Sequence, residues 1–245
     1  LLAVFGPGRE ALSLEQLSVA ADLPKATTLR LARRLVEWGA LERHADGRFV
    51  IGLRLLEVAA LSPRGHGLRT VALPVLQELH QATGQYVLLA VRDGMEAVLV
   101  ERLTAVRARK TLYRVGGRLP LHATGVGLVL LAHAPQDVRE SVLASNLRWP
   151  AGWRALNGAD LRRRLSGVCR EGVAVELPEQ PETMSSVAAP IFGRRRSVVA
   201  ALSVVIPTGS IPPVTLKPAV IAGAQSISRA LTQAANSWLD TDVVV

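Results

Sequence analysis

SLEQLSVAADLPKATTLRLARRLVEWGALERHADGRFVIG, residues 13–52, reads as two short helices joined by a tight turn and closed by a small β-hairpin. Ser13 with Gln16 three residues on is a capping-box start. Leu14, Leu17, Val19, Ala20, Ala21 and Leu23 give the first helix an apolar face. Leu23-Pro24 is expected to end it, because proline pushes the preceding residue out of α geometry. A second helix is expected over residues 25–38, with Gly39 where helices commonly stop. At about 100° per residue, Leu29, Ala32, Leu35 and Val36 fall on one side and face the protein. Thr27, Arg30 and Arg34 gather on the other, flanked by Arg33. Asp46-Gly47 between residues 41–44 and 48–51 is a hairpin signal.

Two such helices with a hairpin wing lay the second helix in the DNA major groove. Arginine forks match the paired acceptors of guanine, and hydroxyls serve bases or phosphates. The candidate groove residues are therefore Lys25, Thr27, Thr28, Arg30, Arg33 and Arg34. Arg43, Arg48 and His44 on the wing are placed to reach an adjacent backbone or the minor groove. The competing reading is an ordinary solvated basic helix face. Residues 1–61 carry eight Lys or Arg and seven Asp or Glu, so any DNA-facing charge is local. It sits in residues 25–34, which hold four cations and no acid.

A chain of 245 residues has room for one or two domains with a proper core, and its 49% apolar content argues against disorder. No apolar run reaches the length of a membrane-spanning helix and no signal-peptide pattern is present, so a cytoplasmic protein without membrane contact is expected. The single Cys169 excludes an internal disulfide framework and a multi-cysteine metal site. His44, His66, His80, His122 and His133 show no metal-ligand spacing. Gly125-Val126-Gly127 lacks the third glycine of a dinucleotide fingerprint, and no Gly-Lys-Ser/Thr phosphate loop occurs. No nucleophile–base pair stands out, so neither a cofactor, a metal nor an enzymatic activity is expected. The net charge of +9 favours polyanionic or acidic partners, and all but one unit of it lies beyond residue 61.

Residues 1–8 look like the end of a helix stopped at Gly6-Pro7-Gly8 and packed through Leu2, Val4 and Phe5. Residues 53–61 form an amphipathic helix, which residues 62–67 (SPRGHG) interrupt as a hinge or a kink. A helix is expected over residues 68–83, closing at Gly84. Residues 86–92 and 95–103 are strands around an Asp93-Gly94 turn. Residues 107–114 read as a third strand, with Arg107, Arg109, Lys110 and Arg114 either guarding an edge or contacting anions. Residues 116–120 read as a loop, succeeded by an apolar helix to residue 134 and another from Pro135. A helix over 161–170, with Arg162, Arg163 and Arg164 solvated, leads to a strand over 173–176 and a loop over 177–184. Strands over 186–192 and 198–206 pair across residues 193–196, and a last helix covers 214–235. The expected fold is α+β: a winged helix–turn–helix over 1–52, a linker helix and hinge over 53–67, and an α/β domain with a mixed or antiparallel sheet over 68–245.

Three stretches together resemble the IclR family of bacterial transcription regulators across nearly the whole length. They are the helix–turn–helix running into residues 52–57 (GLRLLE), residues 116–127 (GGRLPLHATGVG), and residues 186–192 (SVAAPIF) with residues 200–203 (AALS) after them. The resemblance implies a ligand-responsive DNA-binding regulator, a repressor, with a GAF-like effector domain. It also implies homodimers, often dimers of dimers, on palindromic double-stranded operators. It places a small-molecule effector, an organic acid or aromatic metabolite, against Leu119, Gly125, Val126, Glu176, Ser186 and Ser203, with Thr111 on the preceding strand. Free amides at the helix start near Gly125 favour an anion, and Leu119 offers an apolar wall beside the serine hydroxyls. The chain departs from the family pattern at Ser186, commonly cysteine, at Glu176, commonly aspartate, and at Leu128 and Val205, commonly polar. His122 is read as a buried histidine bonded to backbone and Cys169 as a packed thiol. The alternative function is a metabolite-sensing or enzyme-like domain acting without sequence-specific DNA binding.

Overall fold

Ser13 caps helix α1 (Leu14–Ala20) as its sequence requires: its Oγ accepts from the Gln16 amide, and Gln16 Oε1 accepts from the Ser13 amide at 2.8 Å. The structure, a computed structural model, describes residues 1–106, 113–145, 147, 157–176 and 184–233. Helix α1 stops earlier than Leu23-Pro24 predicts. Ala21 closes it, and Asp22 turns the chain in a left-handed conformation (φ 51°). Helix α2 spans Lys25–Trp38 and ends at the left-handed Gly39. Strands β2 (Leu41–Arg43) and β3 (Phe49–Ile51) form the expected hairpin. The sequence reading missed β1 (Ala11–Leu12), which pairs with β3 and makes the sheet three-stranded, in the order β1-β3-β2.

Leu12, Leu17, Ala32, Leu41 and Phe49 form the buried centre of this unit, with Leu2, Val4 and Phe5 packed against it. The first residues contribute that packing from a 3-10 turn (Leu2–Val4) rather than from the end of an α-helix. Gly52 is required by space: a β-carbon there would lie 2.2 Å from the Gly39 carbonyl oxygen. Helix α3 (Leu53–Ala60) comes next, and within residues 62–67 Pro63–Gly67 form a π-helical turn.

The chain divides into two compact units, Leu1–His66 and Gly67–Val245. The second is built on β4 (Tyr86–Asp93), β5 (Glu96–Leu103), β6 (Arg118–Pro120), β7 (Ala174–Glu176), β8 (Met184–Phe192) and β9 (Val198–Pro207). These pair antiparallel throughout, in the order β6-β5-β4-β9-β8-β7. Arg118–Pro120 is thus a strand beside Glu96–Val98, not a loop. Of the strand expected over 107–114, residues 107–112 lie outside the described residues, and Tyr113 and Arg114 are not in a strand.

Helices cover both faces of the sheet, which explains why β4 reads as a continuous apolar run rather than an alternation. Val87, Leu89 and Val91 pack with α4 (Leu68–Thr83) and α8 (Lys217–Gln233) through Leu76, Val220 and Ile227. Tyr86, Leu88 and Ala90 face α5 (Gly125–Ala132) and α7 (Gly158–Glu171) through Val126, Leu161 and Leu165. Each fully buried Leu, Ile or Val contributes about 1.5–3 kcal/mol by leaving water. Helix α6 (Gln136–Ala144) starts after Pro135 as expected. Among the described residues no helix is long and apolar enough to cross a membrane.

Candidate functional site

Helix α2 carries its cations outward. Lys25, Arg30, Arg33 and Arg34 are exposed and Thr27 is half-buried. Lys25 Nζ lies 3.1 Å from Glu15 and Arg34 Nη1 lies 3.6 Å from Glu37, both solvent-exposed pairs that hold little energy. Among the described residues, Arg30 and Arg33 make no side-chain hydrogen bond or ion pair, so their forks are available. Thr28 departs from its expected role. It is completely buried, and its hydroxyl donates to the Pro24 carbonyl at 3.1 Å, inside the unit rather than toward a groove.

On the wing, Arg48 is 2.6 Å from Asp46, and its hydrogen bond pulls the Asp46 carboxyl down to about 2. Arg43 lies over the Phe49 ring at 5.9 Å and donates from Nε to the Gly47 carbonyl. Both guanidinium groups are exposed but steadied by the turn.

The second unit holds a small, partly open cavity against one face of the sheet. Strand register builds it. Leu88 stands opposite Ser203, Tyr86 opposite Val205, Val205 opposite Ser186, and Ser186 opposite Glu176, so β4, β9, β8 and β7 each supply a wall. Leu119, Gly125, Val126, Glu176, Ser186 and Ser203 all line this cavity; Thr111 lies outside the described residues. Sequence reasoning missed Tyr113, Ala123, Thr124, Met184 and Leu88. The Leu88 position is given by the alternation of β4, whose odd residues face the other core.

The start of α5 meets β8 closely. Thr124 caps the helix, its Oγ1 accepting from the Gly127 amide at 3.1 Å. Gly125 and Val126, both lining the cavity, lie in the first turn of α5, whose amides the helix cannot pair internally. A β-carbon on Gly125 would fall 2.6 Å from Ser186 Oγ, so only glycine lets the helix seat there.

Glu176 is nine-tenths buried, and both its oxygens accept from Arg164 Nη1, at 3.0 and 2.8 Å. Burial pushes its pKa above the usual carboxylate value, and Arg164 pulls it partly back. Arg164 is therefore not simply solvated, in contrast to the sequence expectation. Arg162 and Arg163 pair at the surface with Glu140 and Asp160. His122 is buried as expected, but its Nε2 has no hydrogen-bond partner, and burial lowers its pKa. Cys169 is exposed rather than packed, with Sγ donating to the Ala132 carbonyl at 3.4 Å. Among the described residues no group of three or more His, Cys, Asp or Glu is arranged to hold a metal. Apolar walls, two serine hydroxyls, a phenol and one ion-paired carboxylate suit reversible binding of a small molecule.

Comparison with known proteins is consistent across the length. Residues 1–45 match the IclR helix-turn-helix domain and residues 61–229 match the bacterial transcriptional regulator IclR C-terminal domain. The HTH-type transcriptional regulator KipR of Bacillus subtilis is 27% identical over 197 residues, 80% of this chain and 79% of that protein. The HTH-type transcriptional repressor AllR of Escherichia coli is 29% identical over 194 residues, 78% of this chain and 72% of that protein. A crystal structure of an IclR homolog complexed with 4-hydroxybenzoate, from Microbacterium hydrocarbonoxydans, superposes with a TM-score of 0.87 at 34% identity, covering 94% of this chain and 95% of that one.

Proposed function

Because the chain belongs to the IclR family of bacterial transcription regulators, we propose that it is a cytoplasmic repressor whose grip on a palindromic operator is switched by a small organic acid or aromatic metabolite. Residues 1–52 bind DNA, 53–67 transmit, and 68–245 sense the effector. Lys25, Thr27, Arg30, Arg33 and Arg34 enter the major groove, while Arg43 and Arg48 touch the flanking backbone; Thr28 is left out because it is buried. A homodimer, or a dimer of dimers, matches the two-fold symmetry of the operator. The effector switches binding by favouring one arrangement of the dimer over the other, since a ligand with equal affinity for both shifts nothing.

The observation that carries this reading is the cavity where the start of α5 meets Ser186, Ser203 and Glu176. Support for an aromatic acid comes from the Microbacterium relative, which holds 4-hydroxybenzoate, and support for repression from AllR, a named repressor. Nuclease footprinting of the DNA upstream of the protein's own coding region tests it. Protection of an inverted repeat is expected, and uniform cleavage across the region would contradict it.

A further inference from the structure

Helix α3 carries the chain out of the first unit, but packing within that unit does little to aim it: seven of its eight residues are exposed and Leu55 is half-buried. Its first turn is tied instead to α2 and to the wing. The Gly52 amide donates to the Ala40 carbonyl at 2.9 Å, and a β-carbon on Gly39, which ends α2, would stand 3.1 Å from Arg54 Cβ. The Leu53 amide, one of the donors a helix cannot pair internally, donates to Glu42 Oε1 on β2 at 2.9 Å. Arg54 Cζ lies over the Trp38 ring, 5.9 Å from its centroid, and the same guanidinium donates to Glu57 three residues on.

Each tie has a physical reason to hold. A carboxylate at a helix start satisfies an orphan amide and meets the positive end of the helix dipole. Indole is the best of the aromatic faces for a cation. Trp38 is the last residue of α2 and Glu42 the middle residue of β2, so one tie runs from the start of α3 to α2 and the other to the wing.

We propose that Glu42 and Arg54 are positioning residues for DNA recognition, which fix the angle between α3 and α2 and so set the tilt at which Arg30, Arg33 and Arg34 meet the groove. Neither residue needs to touch DNA; Glu42 acts through the Leu53 amide and Arg54 through Trp38. A reorientation of α3 is then carried into α2 as a rigid turn instead of being absorbed at the corner between them. Base contacts depend on such supporting interactions for their alignment. The inference rests on the reading that α2 enters the groove and adds to it the residues that aim it from the linker.

Anisotropy titrations of the full chain with the duplex from upstream of its own coding region, and with a scrambled duplex, test the joint. Glu42→Ala and Glu42→Gln remove the same charge from the wing, but glutamine keeps an acceptor for the Leu53 amide. Glu42→Ala is expected to lower the preference for the native duplex about fivefold or more, the scale of one misaligned base contact, without weakening scrambled binding. Glu42→Gln should keep the preference. Arg54→Met should lower it as Glu42→Ala does, and Arg54→Lys, which retains a cation for the ring, should keep most of it. Thermal unfolding confirms that each variant is folded, and the Arg54 pair carries the test if Glu42→Ala is not. An unchanged preference in Glu42→Ala and Arg54→Met, or an equal loss in Glu42→Ala and Glu42→Gln, overturns the joint and leaves the DNA reading standing. Absence of any preference in the unaltered chain overturns the DNA reading together with the joint.

Discussion

Ser186 Oγ occupies a point 2.6 Å from where a β-carbon on Gly125 would stand, which locks the start of α5 onto β8. Ala188 Cβ is also near, at 3.3 Å. Gly125→Ala should therefore cost about 1–3 kcal/mol by overpacking and shrink the cavity. Ser186→Ala removes the closer contact, so the double variant should recover part of that loss. Thermal unfolding across the four members of this cycle measures the coupling; strict additivity would show that the two residues do not press on each other.

Thr28 and Arg30 lie two residues apart but on opposite sides of α2. Thr28→Val removes a hydroxyl whose acceptor, the Pro24 carbonyl, still receives the residue-28 amide at 2.9 Å. It should change stability by about 1 kcal/mol and leave operator affinity unaltered. Arg30→Ala should do the reverse, costing ~1–3 kcal/mol of operator affinity if the fork reads a base pair. Paired denaturation and DNA titrations separate the two, and loss of operator affinity in Thr28→Val would contradict the burial of that hydroxyl.

Glu176 and Arg164 set a pH dependence. Burial raises the Glu176 pKa in the folded protein, so its protonation contributes stability that is complete below the ordinary carboxylate value near 4.5 and is lost as pH rises through the higher folded value. Arg164→Met removes the guanidinium that opposes this shift. The variant should lose about 1–2 kcal/mol at pH 8, less than a fully buried pair because Arg164 is 41% exposed. Near pH 5 the loss should be smaller. Urea midpoints at the two pH values give the answer, and an equal loss at both would show that Glu176 does not titrate there.

Gly52→Ala would drive a methyl group into the Gly39 carbonyl, a backbone atom that cannot step aside. The first unit should be destabilised by more than about 2 kcal/mol while the second unfolds as before. Calorimetry should show one transition moving and the other fixed. Ligand titration should still report the cavity.

The bounds of α2 were legible because Pro24 and Gly39 act locally on the residues beside them. The strands β1 and β6 were not. Ala11–Leu12 and Arg118–Pro120 are short and become strands only by pairing with distant residues. Thr28 was misplaced by its polarity, although it sits four residues before Ala32 and seven before Leu35, on the core side of the same wheel. Six positions named from the family resemblance meet in one cavity, yet nothing in their local sequence brings them together. Strand register does, and register also adds Leu88. Arg164 and Glu176 were separated because their pairing runs from α7 across the turn at Gly172 to β7, a contact no helical or strand period encodes.

The most direct measurement is fluorescence anisotropy of the full chain with a duplex from upstream of its own coding region, against a scrambled duplex, over roughly 50–200 mM salt. A regulator reading DNA through α2 should bind the native duplex more tightly at every salt concentration, with affinity falling steeply as salt rises. Equal, weak and salt-insensitive binding to both duplexes would contradict it.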